Sequence, residues 1–134
     1  MEVSSKNGSL ALAALLAGLA AVSRGEAAPV NRDDFQVETT ANLVSLCSAA
    51  ATDPLYTAAQ NFCHGFAIAT YRMIAVQQAA TRGKRQLFCL PSPQPTRDQA
   101  IAAFTQWASE RPKTLASSPS DGIVEYLVTQ YPCS

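Results

Sequence analysis

The chain has a single histidine, His64, no Cys-x-x-Cys pair and no glycine-rich stretch of the kind that cradles phosphate. No serine sits in a strained strand-to-helix elbow. Adjacent helical residues point about 100° apart, so Cys63 and His64 cannot face each other as a thiolate–imidazole pair, and no third group orients them. Zinc is equally unsupported, because the cysteines are 16, 26 and 44 residues apart and zinc ligation needs clustered thiolates. Ten basic residues balance ten acidic ones, which leaves no excess of cations to neutralise a phosphate backbone. With apolar residues at 48% of the chain, low-hydrophobicity disorder is excluded as well. No catalytic residue, metal site or cofactor is expected, and nothing argues positively for an enzyme.

What is present begins with an export signal. After Met1–Lys6 the run Leu10–Val22 is thirteen residues of apolar and small side chains, followed by Arg24, Gly25 and Ala27. That run is short of the roughly 18 residues of a membrane-spanning helix and matches a secretory signal peptide over residues 1–27. Cleavage is expected after Ala27, with Gly25 and Ala27 as the small pair and Ser23 as a second candidate. No cysteine follows closely enough to take a lipid. Seventeen alanines among the remaining 107 residues leave a thin set of large core side chains, and small domains of that kind need staples. Cys47, Cys63, Cys89 and Cys133 all lie in the exported part, where an oxidising compartment lets disulfides persist.

The pattern predicts an all-α, compact four-helix domain over residues 39–134. Residues 28–38 form a loose leader whose Asp33-Asp34 pair reads as solvated charge. Thr39 or Thr40 caps a first helix to about Ala51, with Leu43, Leu46, Cys47 and Ala50 on one stripe. Asp53-Pro54 opens a second helix running to about Thr81. Its apolar stripe is Phe62, Phe66, Ala69, Met73 and Val76, and Ala58, Ala59, Ala67 and Ala75 permit close approach of a neighbour. Arg82-Gly83-Lys84-Arg85 closes that helix with cations and a glycine. Pro91, Pro93 and Pro95 exclude helix from the connector after Phe88-Cys89-Leu90. Thr96-Arg97-Asp98-Gln99 is a capping box leading into Ile101, Phe104, Trp107 and Ala108, and Pro112 ends this third helix. Ser118-Pro119-Ser120-Asp121 opens the fourth, whose stripe is Ile123, Val124, Leu127, Val128 and Tyr131 before Pro132. No alternating strand pattern or internal repeat occurs.

Antiparallel pairing across short connections selects one of three disulfide connectivities. The first two helices bring Cys47 to Cys63, and the last two return Cys133 to Cys89. Each closure is worth roughly 3 to 4 kcal/mol in the loop-entropy model.

The order of the cysteines, the stretch Phe62-Cys63-His64-Gly65-Phe66, the segment Phe88-Cys89-Leu90-Pro91 before a capped helix, and the terminal Tyr131-Pro132-Cys133 together resemble the Rap/Tai family of immunity proteins. Ala69 stands where that pattern often has a second glycine, and Tyr71-Arg72 where it often has an acid. The resemblance implies a periplasmic helical protein, often a homodimer, that protects against a peptidoglycan amidase effector delivered by type VI secretion. It would occlude the amidase cleft with a protruding loop, a task of shape and charge that needs no reactive group. Exposed connections on a rigid frame are the expected contacts: Lys113, Thr114, Leu115, Ser117 and Ser118 in one loop, and Arg82, Lys84 and Arg85 at the basic corner. Ile68, Tyr71 and Ile74, flanking the stripe of the second helix, add to the homodimer expectation. The alternatives are an orphan envelope protein and a periplasmic stress chaperone of the HdeA kind. Such a chaperone opens as many carboxylates protonate, against which stand two disulfides and only eight acidic residues in the exported part.

Overall fold

The computed structural model describes residues 27–81 and 86–134. The expected signal peptide, apart from Ala27, and the Arg82–Arg85 corner lie outside them. The described chain is helical throughout: a 3-10 turn at Arg32–Gln36, then α1 (Thr40–Cys47), α2 (Tyr56–Ala80), α3 (Arg97–Ser109), α4 (Pro112–Leu115) and α5 (Pro119–Gln130). Both expected disulfides are present, Cys47–Cys63 and Cys89–Cys133.

The leader is ordered where a loose segment was expected. Asn31 and Asp34 form a reciprocal capping box around the 3-10 turn, and Val30 and Val37 are buried. The Asp53 carboxylate accepts from the Val30 amide at 2.8 Å and from the Leu55 amide at 2.8 Å. It thereby pins the leader to the α1–α2 turn, and α2 begins at Tyr56, later than Asp53-Pro54 signals. The start of α1 is capped by Thr39, whose side chain accepts from the Asn42 amide while Asn42 accepts from the Thr39 amide. Its last carbonyls, on Leu46 and Cys47, accept from Gln60 of α2 at 3.3 and 3.2 Å, satisfying groups that a helix end leaves free.

The buried face of α2 differs from the expected stripe. Ala59, Cys63 and Ile74 are buried, whereas Met73 and Val76 are 61% and 66% exposed. The disulfide supplies the reason: Cys63 must face α1 to reach Cys47, and residues at helical spacing from it are rotated inward too. In α3 the expected Ile101, Phe104, Trp107 and Ala108 are all buried. In α5 Tyr126 is buried and Val128 exposed, so the inward face lies one position aside from part of the predicted stripe. α3 stops at Ser109, three residues ahead of Pro112, and that proline also starts the single turn α4.

α1 touches every other helix and the 3-10 turn. Its first residue, Thr40, is fully buried. The Thr40 amide donates to the Ser117 carbonyl at 2.8 Å, and its hydroxyl lies 3.2 and 3.0 Å from the Ser117 and Ser118 carbonyls. Gly122 of α5 lies directly over this side chain. A Cβ there would collide with the Thr40 Oγ1 and come within 2.8 Å of its Cγ2.

Gly65, in the middle of α2, presents the opposite case, since a Cβ there meets nothing within 4 Å. Gly122→Ala should therefore lower unfolding free energy by about 1–3 kcal/mol through overpacking. Gly65→Ala should raise it by up to about 1 kcal/mol, the helix-propensity difference. Urea denaturation of both variants checks the pair, and an equal response at the two sites would contradict the packing described.

Candidate functional site

Cys63 is tied up in a disulfide, which removes the nucleophile from the Cys63-His64 neighbourhood. His64 has its Nδ1 3.9 Å from an Asp98 carboxylate oxygen at the start of α3. Among the described residues no cluster of His, Cys, Asp and Glu could hold a metal. Two surfaces of the described residues are well formed.

The first is the segment from Arg111 to Ser118. Proline at the first position starts α4 with a fixed φ and no lost donor. Thr114, expected as a surface contact, is buried instead and donates to Glu125 of α5 at 2.9 Å. Leu115 packs against the core. The Ser117 amide and hydroxyl both donate to the Thr114 carbonyl, at 3.0 and 2.7 Å. The Ser118 hydroxyl accepts from the Asp121 amide at 3.2 Å and caps α5. With Thr40 holding the Ser117 and Ser118 carbonyls from below, the segment is bolted at several points. It presents Pro112, Lys113, Ala116 and Ser118 to solvent. Arg111 turns back, its guanidinium carbon 4.4 Å from the centre of the Trp107 ring, a cation–π arrangement. Arg82, Lys84 and Arg85, the other expected contacts, lie outside the described residues.

The second surface is a concave one that the sequence did not signal. Side chains of α1, α2, α3, α5 and the proline connector enclose a cleft of about 300 Å³. Tyr126 forms its aromatic wall, with Phe104, Trp107 and Tyr131 ring centres 5.6, 5.5 and 6.0 Å away. Burial first, and then the Tyr131 hydroxyl 3.5 Å away, push the Tyr126 hydroxyl well above its ordinary pKa. The pointer available in the sequence was Tyr126 itself, three residues from Ile123 and so on the same helix face, but the stripe drawn through Val124 and Val128 passed it by.

The acidic pair of the leader divides. Asp33 is exposed, while Asp34 accepts from the Asn42 amide group at 3.0 Å, the Ser45 hydroxyl at 2.7 Å and the Asn31 backbone at 3.0 Å. Burial raises the Asp34 pKa, and these three hydrogen bonds more than reverse that, leaving it below the ordinary value of 3.8. A carboxyl depressed in the folded state stabilises at pH above its unfolded pKa and loses that contribution as pH falls through the folded value. Asp34→Asn should therefore flatten the stability–pH profile on the acid side of the carboxylate range and lower stability at neutral pH. Thermal melts from pH 7 down to pH 2.5 test this, and a parallel shift at every pH would refute it.

Residues 39–133 match the family model of the Rap1a immunity proteins. No curated protein and no solved structure matches the chain. The matched span starts at the Thr39 cap of α1 and ends at Cys133 of the second disulfide, so it takes in α1 to α5 of the described residues and both cross-links. By that match, the chain belongs to the Rap1a immunity protein family.

Proposed function

We propose that this immunity protein is exported to the periplasm, where it binds a peptidoglycan amidase effector delivered by type VI secretion and occludes its catalytic cleft. The observation that carries the reading is the family match over residues 39–133, which makes binding of a cognate effector the core of the function. Two disulfides favour an oxidising compartment. Among the described residues no helix is long and apolar enough to cross a membrane.

The contact segment in this proposal is Arg111–Ser118, with Arg82, Lys84 and Arg85 as a second set of contacts. A segment already fixed by Thr40, Thr114 and Ser117 loses little conformational freedom on docking, and such preorganisation raises affinity without added area. Lys113 supplies the charge and Ala116 the close approach. Thr114 and Leu115 act from within, holding the segment's shape. The Met73 and Val76 side chains left exposed on α2 are the homodimer surface in the same proposal, replacing Ile74, which is buried, and Tyr71, whose ring centre lies 6.1 Å from that of Phe88.

Lys113→Glu combined with Ala116→Arg should weaken inhibition of the cognate amidase at least about tenfold, on the scale of a buried interface pair, while leaving the melting midpoint within a few degrees. Full inhibition after altering both this segment and the basic corner would overturn the placement. Suppression of aggregation at low pH without any amidase complex would support the stress-chaperone alternative instead. For the dimer, Met73→Glu should convert it to monomer by light scattering, and a wild-type monomer well above micromolar concentration would remove it.

A further inference from the structure

We propose that the cleft between α1, α2, α3, α5 and the proline connector is a binding site for a small amphipathic acid, an aliphatic or flat apolar body carrying one anionic group. The floor and walls are Leu43, Ile68, Ile101, Phe104, Tyr126 and Leu127, all apolar apart from the tyrosyl hydroxyl. An apolar cavity of roughly 150 Å³ is large enough to take benzene. A space of about 300 Å³ therefore suits a body of about twelve heavy atoms on the same scale.

The rim supplies the polar end. Arg97 and Ile68 line both this cleft and an adjoining shallow recess made by Gln60, Asn61, His64 and Gly65. Gly65 keeps that recess open, because no side chain stands there and nothing lies within 4 Å of where one would begin. The charged and titratable groups at the recess are Arg97, His64 and Asp98, and Asp98 is turned toward His64 at 3.9 Å. Among the described residues no carboxylate lies within ion-pair distance of Arg97. Arg97 also occupies the first position of α3, where the positive end of the helix dipole disfavours a cation and favours an anion. An anionic head at the rim meets the guanidinium and the helix end together, and the apolar body fills a cleft that water solvates poorly.

The dimensions favour a small molecule over a folded partner. A stable protein–protein interface covers about 800 Å² on each side, whereas this cleft admits no more than one or two side chains. None of Arg111–Ser118 lines it, so the site is separate from the proposed effector contact.

Isothermal titration of the purified, disulfide-bonded protein with sodium decanoate, below its micellar concentration, tests the site. Decyltrimethylammonium serves as the cationic control. One decanoate should bind per chain and shift the amide resonances of Ile68, Ile101 and Tyr126. Arg97→Gln should weaken decanoate about tenfold or more, the loss of a charge-assisted hydrogen bond, and the cationic control should bind at least as weakly. Ala100→Phe, which fills the cleft, should abolish uptake; if that variant misfolds, the resonance map on the unaltered protein decides the location. Absence of saturable binding, shifts confined to other faces, equal affinity for the two head groups, or concentration-dependent shifts of the cleft residues without ligand would each overturn the proposal, the last by revealing a second copy seated there.

Discussion

The contact between Gly122 and Thr40 sets the position of α5, because only a residue without a side chain can lie over a threonine that is itself fully buried. Thr40 has no room to retreat: its amide and hydroxyl both engage carbonyls of the α4–α5 connection, 77 and 78 residues away in the chain. A buried hydroxyl deprived of such partners costs about 1–3 kcal/mol, so the contact is held from both sides. α1 is only eight residues long, too short to persist as an isolated helix. It owes its existence to the packing of Leu43 and Leu46 and to the cross-link at Cys47.

That cross-link also decides how α2 is rotated. α2 is rich in alanine and carries apolar residues on several faces, so more than one inward stripe is compatible with its sequence. Placing Cys63 against α1 selects Ala59, Cys63 and Ile74 and sends Met73 and Val76 outward. The second half of the core is aromatic. Tyr126 collects Phe104, Trp107 and Tyr131 around it, with edge-to-face geometries that suit ring quadrupoles. The Trp107 indole nitrogen is buried without a hydrogen-bond partner among the described residues, and its ring lies beneath Arg111.

Local signals were legible and tertiary ones were not. The Thr96–Gln99 capping box and the inward face of α3 follow from contiguous residues, and the structure has both where the sequence puts them. The disulfide pairing followed too, because short connections force antiparallel neighbours. The ordered leader did not, since its stability comes from Asp53 and from Asn42 and Ser45 of α1, and no periodicity encodes those reaches. Thr114 reads as a loop residue by sequence, yet it faces Glu125; a one-turn helix is too short to declare an inner side. The cleft was hidden for a related reason. Its lining is drawn from four helices and the proline connector, an assembly that no single helix pattern encodes.

The two surfaces differ in shape and lining and share one part. Arg111–Ser118 is fixed at Thr40, Thr114 and Ser117, and the recognition proposed for it depends on the chain losing little freedom when a partner arrives. The cleft is concave, and the ligand binding proposed for it depends on removing apolar surface from water. α5 joins them: Ser118 caps its start, while Ile123, Tyr126 and Leu127 line the cleft along its length. At about 1.5 Å per residue, the helix carries a rigid connection from one surface to the other. Its seating on Thr40 is therefore felt at both, and a substitution that lifts Gly122 disturbs the capped segment and the cleft wall together.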